Sequence, residues 1–146
     1  SRYFSSIDDH INLIQVCKRL KLNMEKFHFN PLALTNKTRE YFEKFTVSNK
    51  TYLPALLEYS KWLIKVEDYA DAQRKLQKAI KLDKNHIEIS NLLFFTSYRL
   101  VKDSVCEYNI KEAISLAKKI QQNGEFWYEN EKAELEQILI NIQGNN

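Results

Sequence analysis

Between residues 53 and 85 the chain reads LPALLEYSKWLIKVEDYADAQRKLQKAIKLDKN, and its apolar positions fall into two helical rows. Leu56, Ser60 and Leu63 stand at i, i+4 and i+7, which puts them on one face of a helix. Ala72, Leu76, Ala79 and Ile80 repeat that spacing. Small residues alternate with large ones in both rows, which suits helices that interdigitate at about 8–10 Å. The polar break at Glu67-Asp68-Tyr69 is short, so the two helices must run antiparallel. Pro54 falls in the first turn, where a missing N–H costs little.

The pattern continues on both sides. Residues 6–22 open with Ser6, Asp8 and Asp9 as capping candidates. Ile11, Ile14, Cys17 (or Lys18) and Leu22 follow at roughly helical spacing. Residues 24–31, MEKFHFNP, show no period and end in Asn-Pro, a breaker. Phe27 and Phe29 are expected to plug this link into the core. A helix is expected over about residues 36–45, with Tyr41, Phe42 and Phe45 inward. Beyond the central hairpin, IEISNLLFFTSYRLV and NIKEAISLAKKI predict another pair, with Ala113, Ile114, Ala117 and Ile120 on one face. Gly124 ends it, as expected beyond a helix C-terminus. A last helix over about residues 125–142 would carry Trp127, Leu135, Ile138, Leu139 and Ile142 on one side. Its other side, with Glu125, Glu129, Glu131, Glu134 and Glu136, suits a cap that keeps a helical stack soluble. The alternative is an acidic docking surface for a basic partner.

Asp68-Tyr69, Ala72, Leu76, Ala79-Ile80, Leu82-Asp83 and Asn85 resemble a tetratricopeptide repeat, a helix–turn–helix unit of 34 residues. Leu56 takes the large first-helix position, usually Trp, and Tyr59 and Ser60 take the Leu and Gly positions. The chain departs from the pattern at Leu56, at Glu67, where Gly is common, and at Lys84, where Pro is usual. The resemblance implies an all-α fold, a short right-handed stack of antiparallel hairpins closed by a C-terminal capping helix. Residues 1–146 would form a single domain of this kind. One good repeat spans about residues 53–86, and a stretched one about 87–122. Ala72 and Ala113 lie 41 positions apart where the period is 34, so seven extra residues must fall around residues 102–109. Longer helices and an extended loop both satisfy that count. The N-terminal stretch has the length of a degenerate repeat but not its landmarks.

Two glycines and two prolines in 146 residues leave little of the punctuation an all-β fold needs. Seventeen Lys against five Arg, with thirteen Asn, suggest an AT-rich, bacterial genome. The net charge of +3 is spread without a clustered basic face, which argues against nucleic acid. Cys17 and Cys106 lack paired spacing and are expected as buried or partly buried free thiols. No apolar run is long enough to span a membrane. The chain starts at Ser1 without a signal peptide, which predicts a piece excised from a larger protein. A cytoplasmic setting is expected, with a periplasmic or membrane-attached one, through a further segment, as the alternative.

His10, His28 and His86 are scattered, without metal-ligand spacing. No glycine-rich loop is present to cradle phosphate, and neither cysteine has a setting that would lower its pKa. No cofactor and no enzymatic activity are therefore expected. What remains is a surface. The resemblance implies that the first helix of each hairpin lines an inner groove, with Leu57, Lys61 and Ile64 facing a ligand. One period on, these become Asn91, Phe95 and Tyr98. The mixture fits an extended segment or a helix of another protein. The competing reading is that Leu57, Ile64 and Phe95 pack against the N-terminal helices or the cap. Only Lys61 and Asn91 resemble parts of a carboxylate clamp, and neither occupies the required position. The leading expectation is thus a protein-interaction module, followed by self-association. RNA binding through Lys18, Arg19 and Lys21 comes last.

Overall fold

The structure is a computed structural model that describes residues 31–145, with side chains from residue 36 onward. The helix expected within residues 6–22, and the packing of Phe27 and Phe29, lie outside the described residues. Among those described, every regular element is α-helical, and from residue 69 onward consecutive helices pack on one another, as the periodicity requires. The helices are α1 (Pro31–Ser48), α2 (Leu53–Lys65), α3 (Tyr69–Leu82), α4 (Ile87–Asp103), α5 (Glu107–Asn123) and α6 (Glu129–Gly144). The chain divides into two compact units, residues 1–58 and 59–146.

In the first unit α1 begins at Pro31, several residues before its expected start. Proline breaks a helix in its interior but suits the first position, where the N–H has no intrahelical partner. Thr38, Phe42 and Thr46 are buried on one face, four residues apart. Thr46 satisfies its hydroxyl locally by donating to the Phe42 carbonyl at 2.8 Å. Past the helix end, the Asn49 side chain donates to the Phe45 carbonyl at 3.0 Å, and the Phe45 and Tyr52 rings lie 6.2 Å apart.

In the second unit the α2–α3 connection is closed by two backbone bonds. The Asp68 N–H donates to the Leu63 carbonyl at 2.9 Å, and the Glu67 N–H to the Ile64 carbonyl at 3.0 Å. These are the paired bonds of a Schellman motif, which needs a left-handed residue between them. Glu67 supplies it, with φ of 64°. Asp68 then acts a second time, its carboxylate accepting from the Asp71 N–H at 3.2 Å as the cap of α3. Ala72, Leu76 and Ala79 are fully buried, as their spacing predicts.

The seven extra residues are accommodated as helix. α4 has 17 residues against 13 in α2. Ala113 is the seventh residue of α5, whereas Ala72 is the fourth of α3. Both connections, residues 66–68 and 104–106, stay equally short. The second hairpin is therefore about one turn longer on each arm. Within it, α4 packs on α3, α5 and α6, and α5 packs on α6. Phe94, Val101, Ile110, Ile114, Ala117 and Leu135 form the centre of this core.

Two expectations fail near the ends of these helices. Residues 125–128 are not helical: the chain runs extended at Gly124 before α6 starts at Glu129. Trp127 therefore lies on the strap before α6, 44% exposed, and not on the helix's apolar side. Cys106, expected to be buried or partly buried, is exposed at the N-terminus of α5, where the hairpin tip meets solvent.

Candidate partner-binding surface

The groove-lining residues expected on α2 and α4 meet different fates. Leu57, in the first unit, is half-buried. Lys61 pairs with Glu88 at 2.6 Å, joining the middle of α2 to the first turn of α4. Ile64 is half-buried. Phe95 is half-buried within aromatic rings, with Tyr69 edge-on at 6.2 Å and Tyr128 stacked at 5.2 Å. Arg99 spreads its guanidinium over the outer side of this cluster, 5.1 Å from the Tyr69 ring centre.

Asn91 and Tyr98 are interior residues, a correction to the expected open stripe. The Asn91 amide donates to the carbonyls of Ile87 and Glu125, both at 2.9 Å. Its oxygen accepts from the Trp127 N–H at 2.9 Å. A backbone strap with no helix or sheet of its own must find partners for its polar groups, and a buried amide offers both a donor and an acceptor. Helical periodicity on α4 shows nothing of this, because the partner strap lies 34–36 positions away.

Tyr98 is held the same way at the other end of α4. Its hydroxyl donates to the Glu134 carboxylate, and Lys102 reaches both groups, at 2.9 Å from Glu134 and 3.4 Å from the tyrosine oxygen. Burial, and then the hydrogen bond to Glu134, push the Tyr98 hydroxyl above its ordinary pKa. The same bond, followed by that from Lys102, holds Glu134 below the usual carboxylate range. The acidic side of α6 is thus partly used for docking. Glu134 binds α4, and Glu129 accepts from Gln121 of α5 at 2.7 Å. Tyr128 is raised by burial first, and by Glu131 and Glu88 after it.

On the flank of the same unit, Gln73 and Gln77 of α3 and Tyr108, Asn109 and Glu112 of α5 border an open cleft of about 490 Å³ over Val101. The added turns of the second hairpin build part of its wall. No single stretch signals this cleft. Its one trace in the sequence is the seven-residue excess between the two hairpins.

Among the described residues no three His, Cys, Asp or Glu side chains gather as a metal site. His86 is used structurally, its Nδ1 accepting from the Ile89 N–H at 3.2 Å to cap α4. No described helix is long and apolar enough to cross a membrane. Comparison with family models, characterised proteins and solved structures finds no match.

Proposed function

We propose that this chain is a tetratricopeptide-like module that holds a segment of another protein and acts by binding, without catalysis. The observation that carries the reading is a repeated burial pattern. Ala72, Leu76 and Ala79 on the second helix of one hairpin are repeated by Ala113, Ala117 and Ile120 on the second helix of the next, all six buried. Units of that kind stack because neither buries its apolar face alone. The left-handed backbone at Glu67, where the family favours Gly, supports the same assignment.

The partner would meet the first helices of the hairpins at Lys61, Ile64 and Phe95. Asn91 and Tyr98 serve there from below, by holding α4 and the strap in place. Affinity capture from the source cell tests the proposal with wild type and a Lys61→Glu/Ile64→Lys variant that keeps the wild-type melting temperature. Loss of specific partners from the variant supports this face. Capture of an identical set by both proteins removes it.

A further inference from the structure

We propose that α5 carries a self-complementary surface through which two copies of this chain pair. Tyr108, Glu112, Ser115, Lys119 and Gln122 recur at i, i+4, i+7, i+11 and i+14, forming one stripe, and all five are exposed. Tyr108 is the most exposed of the large hydrophobic side chains described in this unit, at 68%. Glu112 and Lys119 have no ion-pair partner among the described residues, whereas Glu107 pairs with Lys111 on the same helix at 2.7 Å.

The stripe becomes its own complement when a second α5 lies antiparallel to the first, with the two-fold axis between Ser115 and Leu116. Glu112 of each copy then faces Lys119 of the other, so the pairing forms two ion pairs. Ser115 at the axis presents only a hydroxymethyl group, which lets the helices approach closely. In this register Tyr108 of one copy falls opposite Asn123 of the other. Asn123 borders a shallow hollow of about 180 Å³ with Ile80, Ile87, Leu93, Leu116 and Ile120. Ile87 is 45% exposed there, so an incoming ring covers apolar surface that the unit leaves in water. This hollow and the larger cleft beside Tyr108 share Leu116 and Lys119, so they lie side by side along α5. A two-fold interface requires the same patch to supply both the knob and the hollow, and this patch does.

Sedimentation velocity of the full chain over a concentration series tests the proposal. A monomer–dimer equilibrium is expected. Glu112→Lys and Lys119→Glu should each weaken it by about tenfold or more, because each replaces two attractive pairs with two repulsive ones. An equimolar mixture of the two variants should pair again, since lysines then face glutamates throughout. Tyr108→Ala should weaken the dimer without changing the monomer's melting temperature. A monomer at every concentration, a dimer indifferent to both reversals, or a mixture that stays monomeric would each overturn the proposal. The pairing uses none of Lys61, Ile64 and Phe95, so it stands or falls separately from partner capture on that face.

Discussion

The Trp127 N–H donates to the Asn91 side-chain oxygen at 2.9 Å across 36 positions of sequence. A residue in the second turn of α4 thereby supplies the hydrogen bond that an irregular strap cannot make to itself. The same amide donates to the Glu125 carbonyl, so one side chain fixes both ends of the turn leading into α6.

Asn91→Ala is accordingly expected to lower the unfolding free energy by about 2–4 kcal/mol, since it leaves buried backbone groups without partners. Urea denaturation measures it. Asn91→Asp keeps the shape but turns a donor into an acceptor facing two carbonyls, and should cost at least as much at neutral pH. An aspartate variant as stable as wild type would show that the clamp does not hold the strap.

Glu67→Gly should stabilise the chain by up to about 1 kcal/mol, because φ of 64° is strained for a side chain and open to glycine. The gain stays small, since glycine also has more backbone entropy to lose. Glu67→Val should destabilise it by about 1–2 kcal/mol for the opposite reason. Thermal melts of the two variants should fall on opposite sides of wild type.

Docking of α6 should weaken in acid. Glu134 is held below its ordinary pKa in the folded chain, first by Tyr98 and then by Lys102. Its contribution is therefore present above the unfolded carboxylate value and lost as pH falls through the folded one. Glu107, lowered by Lys111 and then by Gln143 of α6, acts in the same direction. At the alkaline end, Tyr98 and Lys102 are both raised, so their share is lost as pH rises through their folded values. Hydrogen-exchange protection across residues 129–144, taken relative to the intrinsic rate at each pH, should fall at both extremes. Glu134→Gln should flatten the acid limb, and an unchanged limb would show that another group controls it.

Close approach of helices at the small core positions should make Ala117→Leu destabilising by about 1–3 kcal/mol through overpacking. Lys118→Leu, exposed at the next position, should stay within about 0.5 kcal/mol. Equal effects at the two positions would contradict the burial assigned to Ala117.

Much of the fold was legible because helical burial is written at short range. Leu56, Ser60 and Leu63, like Ala72, Leu76 and Ala79, are buried where a period of 3.6 puts them. The break at residues 66–68 was also visible, though not the left-handed turn at Glu67, since no glycine marks it. Short-range pattern is a poor guide where the chain leaves regular helix. The strap at residues 125–128 continues an apolar pattern that looks helical, and that pattern alone places Trp127 on α6. Asn91, Phe95 and Tyr98 share a stripe at helical spacing, and spacing alone does not tell an open stripe from a covered one. Its two polar members are instead buried beneath partners more than thirty positions away.

The helices, their antiparallel order and the faces that enter the core follow from local pattern alone, because each depends on neighbours within about two turns. Tertiary structure decided that the seven-residue excess would lengthen both arms of the second hairpin. It also decided that Asn91 would hold the strap and that Glu134 would anchor α6. Those outcomes depend on groups brought together only when helices pack, where a polar side chain must find a partner or pay the cost of burial.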